Sequence, residues 1–532
     1  MADRALERLA NSVLWPGFLA PRLPAWVERE REAGLAGVVL FSQNVGSGPV
    51  DASGGFLVGI DEEGGSVTRV DAAGGSPLPG AMQLGAVDDV AATRRVARML
   101  AERAAGVGAN VVIAPVADVN ANAANPVIGT RSFGADPGLV ARHVAAAVAG
   151  IADGGAVAVP KHFPGHGDTA VDSHHGLAVS GADADAQERV HLEPFRAAIE
   201  AGARMIMTAH LVVPGWGEEP ATLNRVALGR LRALGFDGVI VSDALDMAAV
   251  KRRHGTPGAA VRALAAGCDL LCISNPANPG SSGDDEADFL AVRDAIVAAA
   301  GSDELPLERL EEAAARVEAL RADMRAPAPG GAPAPERSGA GGFSSGAESS
   351  GAPGSSSVAG SSGAPGFPSV AERSGAAAEM KRPAQLDDDA AAFCASLADT
   401  ALRRDGSFAP LPGPRRVLDA RAAATWAVSA NGRAIAEIIA AGGSVEPWGD
   451  AVDVAAGDRP VLLADRLATD EQRAAVAAFA RRAPEGVVVN LGVDPLPGAM
   501  PGDLPALHTR AASRLGAEAA DRALATGWAA TA

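Results

Sequence analysis

The chain has no tyrosine, only three cysteines, and only three lysines, at positions 161, 251 and 381. Cys268, Cys272 and Cys394 make an odd count without repeated C-x-x-C pairs, which excludes a disulfide scaffold or a cysteine-rich zinc module and fits a reducing compartment. Cys268 and Cys272 flank an apolar run and read as small buried hydrophobes. No uninterrupted apolar run is long enough to span a bilayer. The first residues, Met-Ala-Asp-Arg-Ala-Leu-Glu-Arg-Leu, mix acid and base with no apolar signal core, so a cytoplasmic location is expected. Positive charge is also in deficit: 46 Lys and Arg face 64 Asp and Glu, a net charge of -18. That balance argues against nucleic acid or an anionic membrane surface as a partner.

What is present suffices for more than one core: 532 residues, 48% of them hydrophobic. Residues 326–383 are Gly, Ser, Pro and Ala with few large apolar side chains, a composition that cannot offset its ordering entropy and predicts a disordered linker. It separates an expected domain at 1–325 from a smaller α/β domain at 384–532. In the first, short apolar runs alternate with segments of helical period: Gly37–Phe41, Leu57–Ile60, Val111–Ile113, Val157–Val159, Met205–Met207, Val239–Val241 and Leu270–Ile273, with an eighth near Ser12–Phe18. Continuous apolar strands between helices imply a parallel sheet buried on both faces, and this number suits a (β/α)8 TIM-type barrel. Asp61, Asp118, Lys161 with His162, His210 and Asp243 each lie at or just beyond the carboxyl end of such a run, where barrel sites are built. In the second domain Pro460–Ala464 and Gly486–Asn490 read as strands around a helix at Asp470–Arg482, with no phosphate-binding loop or nucleophile elbow.

One block concentrates the chemistry. Lys161-His-Phe-Pro-Gly-His-Gly-Asp-Thr-Ala-Val-Asp-Ser-His-His175 holds four of the nine histidines. Metal-assisted hydrolysis through His162, His166, His174 and His175 is one reading, although Pro164-Gly165 and Gly167 break any helix that would align two imidazoles. Acyl transfer from Ser173 or Ser242 lacks a G-x-S-x-G setting. Glycosyl transfer needs a carboxylate on one side of an anomeric carbon and a proton donor on the other. Asp243, directly after an apolar strand, suits the first role. In Asp172-Ser-His174, alternate residues of an extended loop face one way, so the carboxylate can fix the imidazole's tautomer for the second.

Ile60-Asp-Glu-Glu-Gly-Gly65 with Arg69, Ile128-Gly-Thr-Arg-Ser-Phe133, Lys161 to Thr169 with Asp172-Ser-His174, and Ser242-Asp-Ala-Leu-Asp-Met247 occur in an order and at spacings that closely resemble glycoside hydrolase family 3, in its bacterial β-N-acetylglucosaminidase (β-N-acetylhexosaminidase) branch. The resemblance spans about residues 10–320. It implies Asp243 as nucleophile, His174 as acid/base with Asp172 as its dyad partner, and Asp61, Arg69, Arg131, Lys161 and His162 as ligands of a terminal N-acetylglucosamine. It further implies exo-acting retaining hydrolysis of cell-wall fragments or chitooligosaccharides, with no metal and no organic cofactor. His166 and Asp168 are expected to shape their loop, and Asp246 and Met247 to support Asp243. The alternatives are a phosphorylase, because a neutral imidazole repels phosphate less than a glutamate would, a metal-dependent hydrolase, or a non-catalytic sugar-binding protein.

Overall fold

The computed structural model describes residues 2–170, 176–278, 281–302, 304–325, 385–421, 432–449, 451–455, 457–495, 500 and 503–529. Asp172, Ser173, His174, His175 and the expected linker therefore lie outside the described residues. Among the described residues, those up to Arg325 and those from 385 onward form one compact unit.

The N-terminal part is a TIM-like α/β fold with a smaller α/β part after it. Its central strands are β1 (Leu14–Trp15), β2 (Gly37–Leu40), β3 (Leu57–Ile60), β4 (Val111–Val112) and β5 (Val157–Ala158). A short outlying pair follows, β6 (Ala178–Val179) and β8 (Leu211–Val212), interleaved with β7 (Met205–Met207). Then come β9 (Val239–Val241) and β10 (Leu271–Cys272). Parallel pairing joins β2 to β3, β3 to β4, β4 to β5, β7 to β9, and β10 to β1. Hydrogen bonds beyond the paired strands join the other neighbours, among them Val39 N–H to the Pro16 carbonyl (2.9 Å), Met207 N–H to Pro160 (3.0 Å) with Phe163 N–H to Met207 (2.8 Å), and Ser242 N–H to Leu270 (3.0 Å) with Leu270 N–H to Ile240 (3.1 Å). The strands lie where the apolar runs predict them, shortened by a residue or two at several ends.

Alternation explains why both faces are apolar. Val38, Val58, Ile60, Val112, Ala158, Ile206, Ile240 and Leu271 join the helices in one core cluster. The intervening Val39, Leu57, Val111, Val157, Met205, Met207, Val239, Val241, Leu270 and Cys272 meet one another and Trp15 in another. Successive side chains of a strand point to opposite faces, so a strand buried on both sides must be apolar throughout. Gly59 makes room inside: a Cβ there would fall 2.1 Å from the Trp15 ring. The Trp15 indole N–H donates to the Leu57 carbonyl at 3.0 Å. Asp89 and Asp136 cap the helices Val90–Ala105 and Pro137–Asp153, each accepting backbone N–H groups of the first turn.

The C-terminal part carries a six-stranded sheet in the order β11 (Arg403–Asp405), β16 (Ala506–His508), β15 (Val487–Asn490), β14 (Val461–Ala464), β12 (Arg416–Asp419) and β13 (Ser444–Pro447). It is parallel except at the β11 edge. The helix between β14 and β15 spans Asp470–Arg482, as the sequence predicts. Contacts with the N-terminal part are specific. Gln83 Nε2 donates to the Thr509 carbonyl (3.0 Å), and Ser66 Oγ accepts the Ala512 N–H (3.1 Å). Cys394, Leu397 and Ala398 of the helix Asp388–Ala401 share the N-terminal core. The three cysteines are free and buried, which for Cys268 and Cys272 is the expected burial.

Candidate functional site

The loops at the carboxyl ends of β2, β3, β4, β5, β9 and β10 surround a cavity of about 280 Å³ lined by Asp61, Glu63, Arg69, Arg131, Lys161, His162, His166 and Asp243 among others. Its centre is an ion cluster. The Lys161 ammonium, 2% exposed, lies 2.5 Å from Asp61 Oδ1 and 2.6 Å from Glu63 Oε1. Arg131 grips Glu63 with both prongs, Nε to Oε2 at 2.9 Å and Nη2 to Oε1 at 2.7 Å, and donates to the Val127 carbonyl. Arg69 Nη2 stands 3.8 Å from Asp61 Oδ2. Burial pushes the Glu63 carboxyl up, but Arg131 and Lys161 outweigh it and hold the group well below the usual carboxylate range. Glu63 is thus the hub between two predicted site cations. The sequence analysis did not single it out, although its place between Asp61 and Gly64 in an acidic triplet was a signal.

The loop after β3 is held from within and from outside. Glu62, 1% exposed, accepts the backbone N–H groups of Arg69 (2.8 Å) and Val70 (3.0 Å), which folds the chain back and delivers the Arg69 side chain. Burial raises the Glu62 carboxyl to about 7 against the pull of these hydrogen bonds. Gly65 has φ +54°, and a Cβ on it would lie 2.5 Å from Gly80 Cα, so this turn requires glycine.

Asp118, fully buried after β4, organises the loop after β5. Its Oδ1 accepts the backbone N–H groups of His162 (3.2 Å) and His166 (2.7 Å), and its Oδ2 accepts Nδ1–H of His162 at 2.8 Å. This sets the His162 tautomer and leaves Nε2 as the other ring nitrogen. Burial raises the Asp118 carboxyl, but His162 and His166 lower it further, so the net shift is down. His166 lines the cavity as well as shaping its loop through Thr169 (3.0 Å), and burial lowers it to about 4, so it is neutral at pH 7.

Asp243 follows β9 and is half-buried; its Oδ1 accepts the Ala244 N–H at 2.8 Å, which fixes the carboxylate's rotation. Asp246 accepts from Asn278 at 3.0 Å, and burial raises it to about 6. His210 braces the same loop from below, its Nε2 donating to the Ala244 carbonyl at 2.9 Å. Ser242, the alternative nucleophile, is buried and its Oγ accepts the Cys272 N–H, which turns it away from nucleophilic use. Among the described residues no group of three or more His, Cys, Asp or Glu is placed to hold a metal ion, and no helix is long and apolar enough to cross a membrane.

The structure therefore gathers Asp61, Arg69, Arg131, Lys161, His162 and Asp243 around one cavity, while Asp172 and His174 lie outside the described residues. Val127, Ile128 and Arg131 also wall a second cavity of about 240 Å³, shared with Asp465, Arg466, Leu491 and Val493 of the C-terminal part.

A mouth of strand-end carboxylates and cations on a TIM-like fold suits glycosyl transfer, and comparison with known proteins supplies the class. Residues 51–320 match the glycosyl hydrolase family 3 N-terminal domain, and the chain belongs to that family. The β-hexosaminidase LpqI of Mycobacterium tuberculosis is 35% identical over 294 residues, covering 54% of this chain and 71% of that protein. A β-hexosaminidase of Stenotrophomonas maltophilia is 35% identical over 269 residues, 47% of this chain and 78% of its own length. The fold is similar over both parts to a family 3 β-N-acetylglucosaminidase from Paenibacillus sp., with a TM-score of 0.74 at 24% identity, covering 98% of this chain and 96% of that one.

Proposed function

We propose that this glycoside hydrolase is an exo-acting, retaining β-N-acetylglucosaminidase that removes terminal non-reducing N-acetylglucosamine from cell-wall fragments or chitooligosaccharides. The observation that carries the reading is the cavity itself, in which Asp243 faces a wall built from Asp61, Glu63, Arg69, Arg131, Lys161 and His162. Charged donors and acceptors suit the hydroxyls of a single terminal sugar, and a groove for internal sugars would leave them unpaired. The similarity to β-hexosaminidases supports the choice of sugar.

In this reading Asp243 attacks the anomeric carbon and forms a covalent glycosyl-enzyme while His174, oriented by Asp172, protonates the leaving oxygen; water then reverses the sequence with His174 as base. Lys161 and Arg131 hold ring hydroxyls because Glu63 fixes both cations, and His162 offers Nε2 because Asp118 holds Nδ1. No step requires a metal or an organic cofactor. The strand order joined by hydrogen bonds is read as an eight-stranded β/α barrel, with domains at 1–325 and 384–532 around a linker at 326–383. The low cysteine content supports a cytoplasmic setting, where an enzyme of this branch would trim wall fragments during recycling.

Release of a chromogenic phenol from the β-N-acetylglucosaminide compared with the β-glucoside tests the substrate. Incubation with a long chitooligosaccharide tests the exo mode. Monomeric N-acetylglucosamine is expected from the start, and early dimers and trimers would refute the pocket.

A further inference from the structure

The cavity has a second wall of different chemistry. Facing the charged side built on β3, β4 and β5, the loops after β2 and β10 contribute Phe41, Gln43, Asn275 and Asn278. Gln43 Nε2 donates to Asn275 Oδ1 (2.9 Å) and to the Phe18 carbonyl (3.3 Å), tying the loops after β1, β2 and β10 together. The orientation of both amides is fixed by backbone groups. The Phe18 carbonyl can only accept, so Gln43 must turn its NH2 that way. The Ala277 N–H can only donate, and it donates to Asn275 Oδ1 at 3.1 Å. What remains is one acceptor, Gln43 Oε1, and one donor, Asn275 Nδ2, neither hydrogen-bonded within the described protein and both on residues that line the cavity.

We infer that Gln43 and Asn275 are the specificity pair that reads the 2-acetamido group of the sugar held in this cavity. The inference rests on the proposed substrate and goes further by assigning its distinguishing group. An acetamido group is neutral and offers one N–H and one C=O, the complement of one free acceptor and one free donor. The ionic wall is suited to hydroxyls, whose lone pairs and protons gain most from charged partners. Position agrees. The acetamido carbon is bonded to the carbon that Asp243 attacks, so its subsite must border Asp243. Asn275 and Asn278 follow β10, the neighbour of β9 on the side away from the charged wall. Asn278 is also tied to the Asp243 loop through Asp246.

The test compares 4-nitrophenyl β-N-acetylglucosaminide with 4-nitrophenyl β-glucoside on the full-length enzyme and on Gln43→Met and Asn275→Asp. The first variant removes the free acceptor at nearly constant volume, and with it the two hydrogen bonds that Gln43 Nε2 donates to Asn275 and Phe18. The second removes the free donor and keeps the oxygen that serves Ala277 and Gln43. Each should lower kcat/KM on the acetamido substrate by about 10- to 100-fold, and Asn275→Asp should leave the glucoside within about twofold, because removing the partner of one substrate group is felt only by the substrate that carries that group. Competitive inhibition should follow the same split, with N-acetylglucosamine weakened and glucose unchanged. Equal losses on both substrates in Asn275→Asp, which keeps the Oδ1 contacts, would overturn the inference, since the pair would then merely hold its loops; unchanged kinetics in both variants would overturn it as well. A wild-type enzyme that turns over the glucoside and not the acetamido substrate would instead defeat the proposed function, a result independent of the variants.

Discussion

Removing the Glu63 carboxylate, as in Glu63→Ala, tests the ion cluster at its hub. Glu63 is the shared partner of Arg131 and Lys161, whose side chains are 7% and 2% exposed. The consequences for the two cations differ. Lys161 keeps Asp61 at 2.5 Å, whereas Arg131 retains the Val127 carbonyl and loses its bidentate carboxylate. Stranding one buried charge costs about 3–5 kcal/mol, and because only one of two cations is stranded the lower end applies, about 3 kcal/mol. Arg131→Met should cost less, since Glu63 still has Lys161 at 2.6 Å. Urea unfolding followed by the fluorescence of the six tryptophans measures both. The pH dependence adds a sign. The folded-state Glu63 lies below its ordinary value of 4.5, so its contribution is fully present above pH 4.5 and is lost as pH falls through the folded value. The gap between wild type and Glu63→Ala should therefore be constant at neutral pH and close only in acid. Equal stability at pH 7, or a gap that does not narrow in acid, would refute the cluster as described.

Asp243→Asn should abolish turnover of every substrate with an unchanged melting temperature, because the side chain sits at a strand end beside the cavity and contributes little packing; near wild-type rates would remove it from the nucleophile's role. His174→Ala should slow substrates with poor leaving groups far more than activated phenolates, and equal losses on both series would make it structural. Glu62→Gln should be more stable than wild type by on the order of 2 kcal/mol above pH 7. The folded Glu62 holds its proton up to about pH 7 while the unfolded one loses it near 4.5, so this contribution lowers wild-type stability across that interval and is absent from the variant. Parallel curves from pH 4 to 8 would contradict the buried, proton-retaining carboxyl.

The sequence alone determined the strands and the edge of the sheet that carries the chemistry. Period-two burial on both faces leaves an uninterrupted apolar run, so Val239–Val241 and its counterparts announce themselves, and a charge directly after such a run can only sit at the strand's carboxyl end. Asp61, Lys161, His162 and Asp243 were legible for that reason, and Arg69 and Arg131 from their motifs. The partnerships were decided by tertiary structure. Glu63 joins Arg131 and Lys161 across sequence separations of 68 and 98 residues, and Gln43 meets Asn275 across 232. Hydrogen bonds between loops of different strands depend on how those strands neighbour one another, and no local pattern encodes that. Ordinary residues such as Gln43 and Asn275 acquire a role only when the fold closes their loops on one cavity, because an amide carries no charge that would mark it as costly to bury.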